Sequence, residues 1–109
     1  MKAGGQNRVV LVTCGTFREG TKIAHRVVQK RLAACVNVLR SPMNSYYTWK
    51  GKLEVVREYL LVMKTSSKRL AELEKEVKRL HSYEVPEFIA IPVAEGSKKY
   101  LAWLESSVR

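Results

Sequence analysis

Ser45-Tyr46-Tyr47-Thr48-Trp49-Lys50-Gly51-Lys52-Leu53-Glu54 reads as two extended arms around a two-residue turn. Aromatic and β-branched residues favour pleated strands. Lys50-Gly51 suits a tight hairpin because glycine tolerates positive φ. Traced outward, the first arm runs back through Cys35 to Leu39, interrupted at Arg40-Ser41-Pro42-Met43, where a proline cannot donate to a ladder. The second arm runs from Leu53 to Lys64. Two arms of about fifteen residues span roughly 50 Å. A 109-residue domain cannot cover that length with its own core. The end carrying Tyr46, Tyr47 and Trp49 therefore calls for a second chain to shield it.

The flanking segments supply the rest of the pattern. Val9-Val10-Leu11-Val12 is a short continuous apolar run and reads as a buried strand over Arg8 to Thr13. Thr16-Phe17-Arg18-Glu19 has capping-box spacing and predicts a helix to about Lys30, with Ile23, Ala24, Val27 and Val28 on its inner face. Gly20 is a mild cost within that helix. Ser66 or Ser67 is positioned to cap a second helix whose stripe is Leu70, Leu73, Val77 and Leu80. Phe88 to Val93 predicts a fourth strand with Pro92 at an edge, and Ser97 caps a last helix. The order β-α-β-β-α-β plus a C-terminal helix matches a ferredoxin-like α+β layout, one sheet with helices on one face. The apolar run Tyr59-Leu60-Leu61-Val62-Met63 predicts burial on both faces, hence an oligomer built sheet against sheet. Met1 to Asn7 is read as a flexible N-terminus, and residues 8–109 as one domain.

Composition narrows the function classes. Hydrophobic content of 46% and charged content of 28% describe a globular chain. No apolar run approaches a membrane span, and the N-terminus lacks a signal-peptide core, so a cytoplasmic location is expected. Cys14 and Cys35 form no Cys-x-x-Cys pair and are expected as free thiols. The net charge of +10 is concentrated in the first forty residues. No nucleic-acid motif accompanies it, which makes nucleic acid an unlikely partner. No Ser/His/acid set, P-loop or His-Glu-x-x-His is present, and the chain contains no Asp, so an enzyme is not expected.

His81-Ser82-Tyr83-Glu84-Val85-Pro86-Glu87 packs an imidazole, a phenol and carboxylates into one connection. Connections on a rigid scaffold are where function concentrates. Together with Val12-Thr13-Cys14, Lys30-Arg31-Leu32-Ala33-Ala34-Cys35-Val36-Asn37, Tyr47-x-Trp49-Lys50-Gly51-Lys52-Leu53-Glu54, Lys64-Thr65 and Tyr100-Leu101-x-Trp103-Leu104, it makes the chain resemble the CutA family of divalent-ion-tolerance proteins, over Arg8 to Leu104. The resemblance implies a ferredoxin-like subunit in a homotrimer whose long hairpin reaches onto a neighbour. It also implies a role in tolerance to copper and other divalent metals. A eukaryotic branch of the family is linked to acetylcholinesterase anchoring. The chain departs from the family pattern at Gly15-Thr16-Phe17-Arg18, Val55-Val56-Arg57-Glu58 and Ser82, with fewer acids at the first two.

Three residues are candidate ligands for copper or another divalent cation. His81 offers an imidazole, Glu84 a carboxylate three residues on, and Cys14 a soft thiolate. The structural alternative is that His81 complements a helix C-terminus and that Tyr83 fills a pocket between subunits. Tyr47, Trp49 and Trp103 are expected as trimer anchors. By analogy with similarly folded PII-type signalling trimers, a second reading places a small anionic ligand in an intersubunit cleft with Tyr83, Lys64, Glu54 and Lys50, supported by Lys52.

Overall fold

The computed structural model describes all residues, 1–109. In chain order the elements are β1 (Lys2–Ala3), β2 (Asn7–Cys14), α1 (Phe17–Gln29), β3 (Cys35–Val38), β4 (Met43–Trp49) and β5 (Lys52–Ser66). A short 3-10 turn, Ser67–Arg69, leads into α2 (Leu70–Leu80), followed by β6 (Ile89–Pro92), β7 (Glu95–Gly96) and α3 (Lys98–Ser107). The main sheet runs β3-β5-β2-β6, every neighbour antiparallel. β4 pairs with the first half of β5. Because β2 joins β5 only from Tyr59 onward, Lys52–Glu58 and β4 stand out as a two-stranded arm. The molecule is correspondingly elongated, 44 × 25 × 25 Å.

The turn at the arm's tip has positive φ at both central residues, 51° at Lys50 and 79° at Gly51, and Trp49 pairs with Lys52 across it. That is the signature of a turn matched to strand twist. Pro42 lies where the first arm breaks into β3 and β4, as the sequence predicts.

Strand alternation sorts the sheet into two faces. Val10, Val12, Cys14, Leu61 and Met63 point to α1 and α2 and are fully buried with Ile23, Val27, Leu73 and Val77. Gly20 belongs to this packing. A Cβ there would stand 3.0 Å from Leu61 Cδ1, so the glycine that weakens α1 by propensity lets it settle onto β5. The opposite face, with Leu11, Leu60 and Val62, is only half-buried, and Ile89 and Ile91 beside them are exposed. α3 packs at the sheet end remote from the arm, where Leu104 and Val108 meet Ala34 and the Asn7 amide donates to Glu105.

Three expectations change in detail. Residues 1–7 are built into the fold: Lys2–Ala3 pairs with Glu95–Gly96, and Asn7 is buried. Ser66 precedes the second helical segment without a side-chain capping bond. Thr16 caps α1 by accepting from the Glu19 amide, but the Glu19 carboxylate turns away from the cap to Ser82.

Candidate functional site

His81 ends α2 in extended conformation, and its ring turns inward under the C-terminal end of β2. The Tyr83 amide donates to Nδ1 at 3.1 Å, so the ring proton sits on Nε2, which donates to the Thr13 carbonyl at 2.7 Å. Cys14 Sγ lies 3.7 Å from the same nitrogen. Glu19 comes to within 3.8 Å of Nδ1 and accepts from both the amide and the hydroxyl of Ser82. Single donor atoms of Cys14, Glu19 and His81 thus lie within 4.8 Å of one another. Burial pushes the Cys14 thiol up to about 12, and the nearby charges of Glu19 and Glu58 add to the shift.

The donor atoms that converge differ from the expected group. Glu84, expected beside His81, is exposed and faces a separate cleft, while Glu19 takes the place at the imidazole. The reason is local. His81 is drawn inward by Thr13, and the chain then reverses through Ser82 and Tyr83, carrying Glu84 to the other side. Capping-box spacing places Glu19 in the first turn of α1, but it did not signal that the carboxylate turns to Ser82 rather than back to the cap.

The cleft holds about 730 Å³ on the helix-free side of the arm. β4 contributes Ser45, Tyr46, Tyr47 and Trp49; β5 contributes Val56 and Glu58; the connection after α2 contributes Tyr83, Glu84, Val85, Pro86 and Glu87. Glu58 is buried and accepts from the Tyr83 phenol at 2.9 Å. Burial and that bond raise the Tyr83 phenol well above its ordinary value. Burial, with Glu58 nearby, raises Glu87 as well.

No Lys or Arg lines the cleft. Of the residues expected around an anion, only Tyr83 does. Lys64 lies on β5 opposite Val9 and Cys35 and bonds to Asn37. Glu54 pairs with Tyr47 outside the lining, and the Lys50 ammonium sits 5.9 Å over the Trp49 ring at the tip. Lys64 shares the helix-free face with Glu58 but lies farther along β5, and Lys50 sits in the turn, so within one subunit the cavity is lined by carboxylates and not by these lysines. Tyr47 and Trp49 form part of its wall, and Trp103 stands exposed on α3 against Tyr100, 5.5 Å between rings.

Residues 8–107 match the family model described as CutA1 divalent ion tolerance protein. The chain belongs to the CutA1 family. A solved structure of the divalent cation tolerance protein (Cut A1) of Thermus thermophilus is similar with a TM-score of 0.92 and 40% identity, covering 94% of this chain and 99% of that one. The periplasmic divalent cation tolerance protein CutA of Archaeoglobus fulgidus gives 0.90 and 38%, covering 94% and 99%. The chloroplastic protein CutA of Arabidopsis thaliana is 45% identical over 93% of this chain, a match that spans 55% of that longer protein. These CutA relatives are named for tolerance or for the family, not for a catalysed reaction. One of these relatives is named as periplasmic and another as chloroplastic, and in this CutA1 chain no helix is long and apolar enough to cross a membrane.

Proposed function

We propose that this protein serves divalent-cation tolerance by binding a thiophilic or borderline metal ion, copper foremost, at Cys14, Glu19 and His81. The observation that carries this reading is the convergence of sulfur, oxygen and nitrogen donors within 4.8 Å. Thiolate and imidazole together suit copper and zinc, and a carboxylate completes a mixed set. The raised Cys14 thiol fits such a role on one condition: the incoming ion must displace the thiol proton, so affinity rises with pH. Ser82, Thr13 and Tyr83 hold the Glu19 and His81 side chains and set their orientation.

The subunit is read as ferredoxin-like from its β-α-β-β-α-β core, and the working form as a homotrimer. The helix-free face with Leu11, Leu60, Val62, Ile89 and Ile91, together with the projecting arm, is the surface a trimer would cover. Both cysteines are free, which supports a reducing compartment, the cytoplasm.

A competition titration of metal-free protein with Cu(I), Cu(II) and Zn(II) tests the site. Saturation at about one ion per subunit is expected, lost in both Cys14→Ser and His81→Ala and retained in Glu84→Gln. Binding indifferent to Cys14 and His81 would reduce the cluster to a packing element that fixes the turn after α2.

A further inference from the structure

We infer that the helical face of the subunit binds the phosphate backbone of a double-stranded nucleic acid, through a row of basic side chains along α1 and without reading base sequence. The surface is separate from the Cys14, Glu19 and His81 donors. Its geometry, its charge balance and its setting in the fold each point to this partner.

Arg18, Lys22 and Arg26 follow one another four residues apart on α1, and Lys30 at the C-cap continues the row. All four are exposed. At 1.5 Å of rise per residue the row is about 18 Å long. Arg40 extends it past the start of the helix, with its guanidinium 5.5 Å over the Phe17 ring. At the other end, Lys75 and Arg79 of α2 line a notch together with Lys30. Glu72 and Glu76 line the same notch, but Glu72 is paired with Arg69, and Glu76 with Arg79 and Lys30.

The row costs the isolated subunit stability. Like charges four residues apart repel on a helix, and Arg18 lies in the first turn, where the helix dipole disfavours a cation. Glu19 is the one acid of α1, and its carboxylate is turned away to Ser82. Arg18, Lys22 and Arg26 enter none of the protein's ion pairs. An external polyanion removes the repulsion that the fold leaves standing.

The setting selects the polyanion. The inner side of α1, with Ile23 and Val27, is fully buried against the sheet. The surface proposed for the trimer is on the sheet's other side, so assembly there leaves the row in solvent. Among the large apolar side chains of α1 only Val28 is exposed, at 40%. A helix that lies on a lipid surface needs a broad apolar face to bury in it. No exposed Phe, Tyr or Trp stands in the row to stack on the bases of a single strand. A duplex presents one negative charge per roughly 1.7 Å of its axis, so a row of this length passes about ten phosphates and reaches four or five of them. The missing nucleic-acid motif bears on base recognition only; contacts to phosphate need placed charge and no motif. The net charge of +10 steers any polyanion toward the protein, and the row decides where it docks.

The test is fluorescence anisotropy of a labelled DNA duplex of arbitrary sequence, about two helical turns long, titrated with the assembled, metal-free protein between about 50 and 200 mM salt. Saturable binding is expected at the low end, with log affinity falling linearly with log salt at a slope of about −4. Arg18→Gln, Lys22→Gln and Arg26→Gln combined should weaken binding at least about 10-fold at low salt and make the slope shallower by about 2.7, roughly 0.9 for each charge removed. The melting temperature of that variant should hold or rise, because repulsion has been relieved. Lys2→Gln, Lys98→Gln and Lys99→Gln combined remove the same net charge elsewhere and should leave the slope as it was. Cys14→Ser should bind the duplex as the native chain does, whatever becomes of metal binding, which separates this surface from the donor cluster. Absence of saturable binding at about 50 mM salt overturns the inference. Equal weakening in the two triple variants also overturns it, since net charge alone would then account for attachment. So does tighter binding to phosphatidylserine vesicles or to polyglutamate at matched charge concentration, which would assign the surface to a lipid or to an acidic protein.

Discussion

Along β5, Leu61 and Met63 are fully buried against α1 and α2, whereas Leu60 and Val62, one step away in the same strand, stay half-buried on the bare face. The charged groups divide in the same way. Glu76, on the helical side, is held by Arg79 at 2.7 Å and by Lys30 at 3.4 Å. Glu58, on the other side, is equally buried but meets a phenol. One face is finished within the subunit. The other is apolar and acidic and only half-covered within the subunit, which is why the proposed trimer is placed against it.

The sharpest way to break this comparison is to truncate both faces. Leu61→Ala should cost about 2–5 kcal/mol of unfolding free energy, since it opens a cavity in a closed core. Leu60→Ala should cost clearly less in dilute protein, where its face is uncovered, and more as concentration rises and copies assemble. Denaturant melts at two protein concentrations distinguish the cases. Equal, concentration-independent losses would mean that the bare face stabilises the subunit alone.

Assembly itself is the next largest effect. Ile89→Lys combined with Ile91→Lys places two charges on an exposed edge strand beside Leu11 and Val9. The subunit should keep its helical circular dichroism while sedimentation equilibrium shows a smaller species. Trp49→Ala should weaken assembly less, because Trp49 lines the cleft and is 41% exposed in the subunit. An assembly of unchanged size in the double lysine variant would move the proposed interface off this face.

Glu76 gives a smaller, pH-dependent contrast. The hydrogen bond from Arg79 lowers its carboxyl from 4.5 to about 2 against the opposing effect of burial. A depressed acid stabilises the fold above its unfolded value and loses that contribution as pH falls through the folded one. The loss should therefore run between pH 4.5 and about 2, with a slope of at most roughly 1.4 kcal/mol per pH unit. Glu76→Gln should flatten that limb in acid titrations of stability. A limb unchanged in the variant would assign the acid sensitivity to other carboxylates.

The legible parts of the molecule were those set by local chemistry. Lys50-Gly51 announced the turn, Thr16 and Ser97 the caps, and Leu70, Leu73, Val77 and Leu80 the inner stripe of α2. The short pairing of Lys2–Ala3 with Glu95–Gly96 was not legible, because two-residue strands leave no alternation to read. In the site, Cys14 and His81 were identifiable by donor type, but their third neighbour was not. Glu84 is close in sequence and Glu19 close in space, a difference made by the chain reversal after His81. Glu58 offered one signal that depended on register: it falls in phase with Val56, Leu60 and Val62, so it shares their apolar face.

The smallest effect tests how firmly the covered face holds the donor cluster. Thr16 accepts from the Glu19 amide at 3.1 Å, and the Glu19 carboxylate holds Ser82 next to His81. One residue therefore links the start of α1 to the turn after α2. Thr16→Ala should cost about 1 kcal/mol, the usual loss of an N-cap. Glu19→Gln keeps the capped amide but weakens its grip on Ser82, so it should cost less in stability while loosening the turn. Amide hydrogen exchange at Ser82 and Tyr83 reads that loosening directly. Faster exchange in Glu19→Gln than in Thr16→Ala would show that the carboxylate, not the helix start, orders His81. The reverse order would mean that the donor cluster is held by packing of α1 as a whole, and that its geometry is a by-product of the finished face.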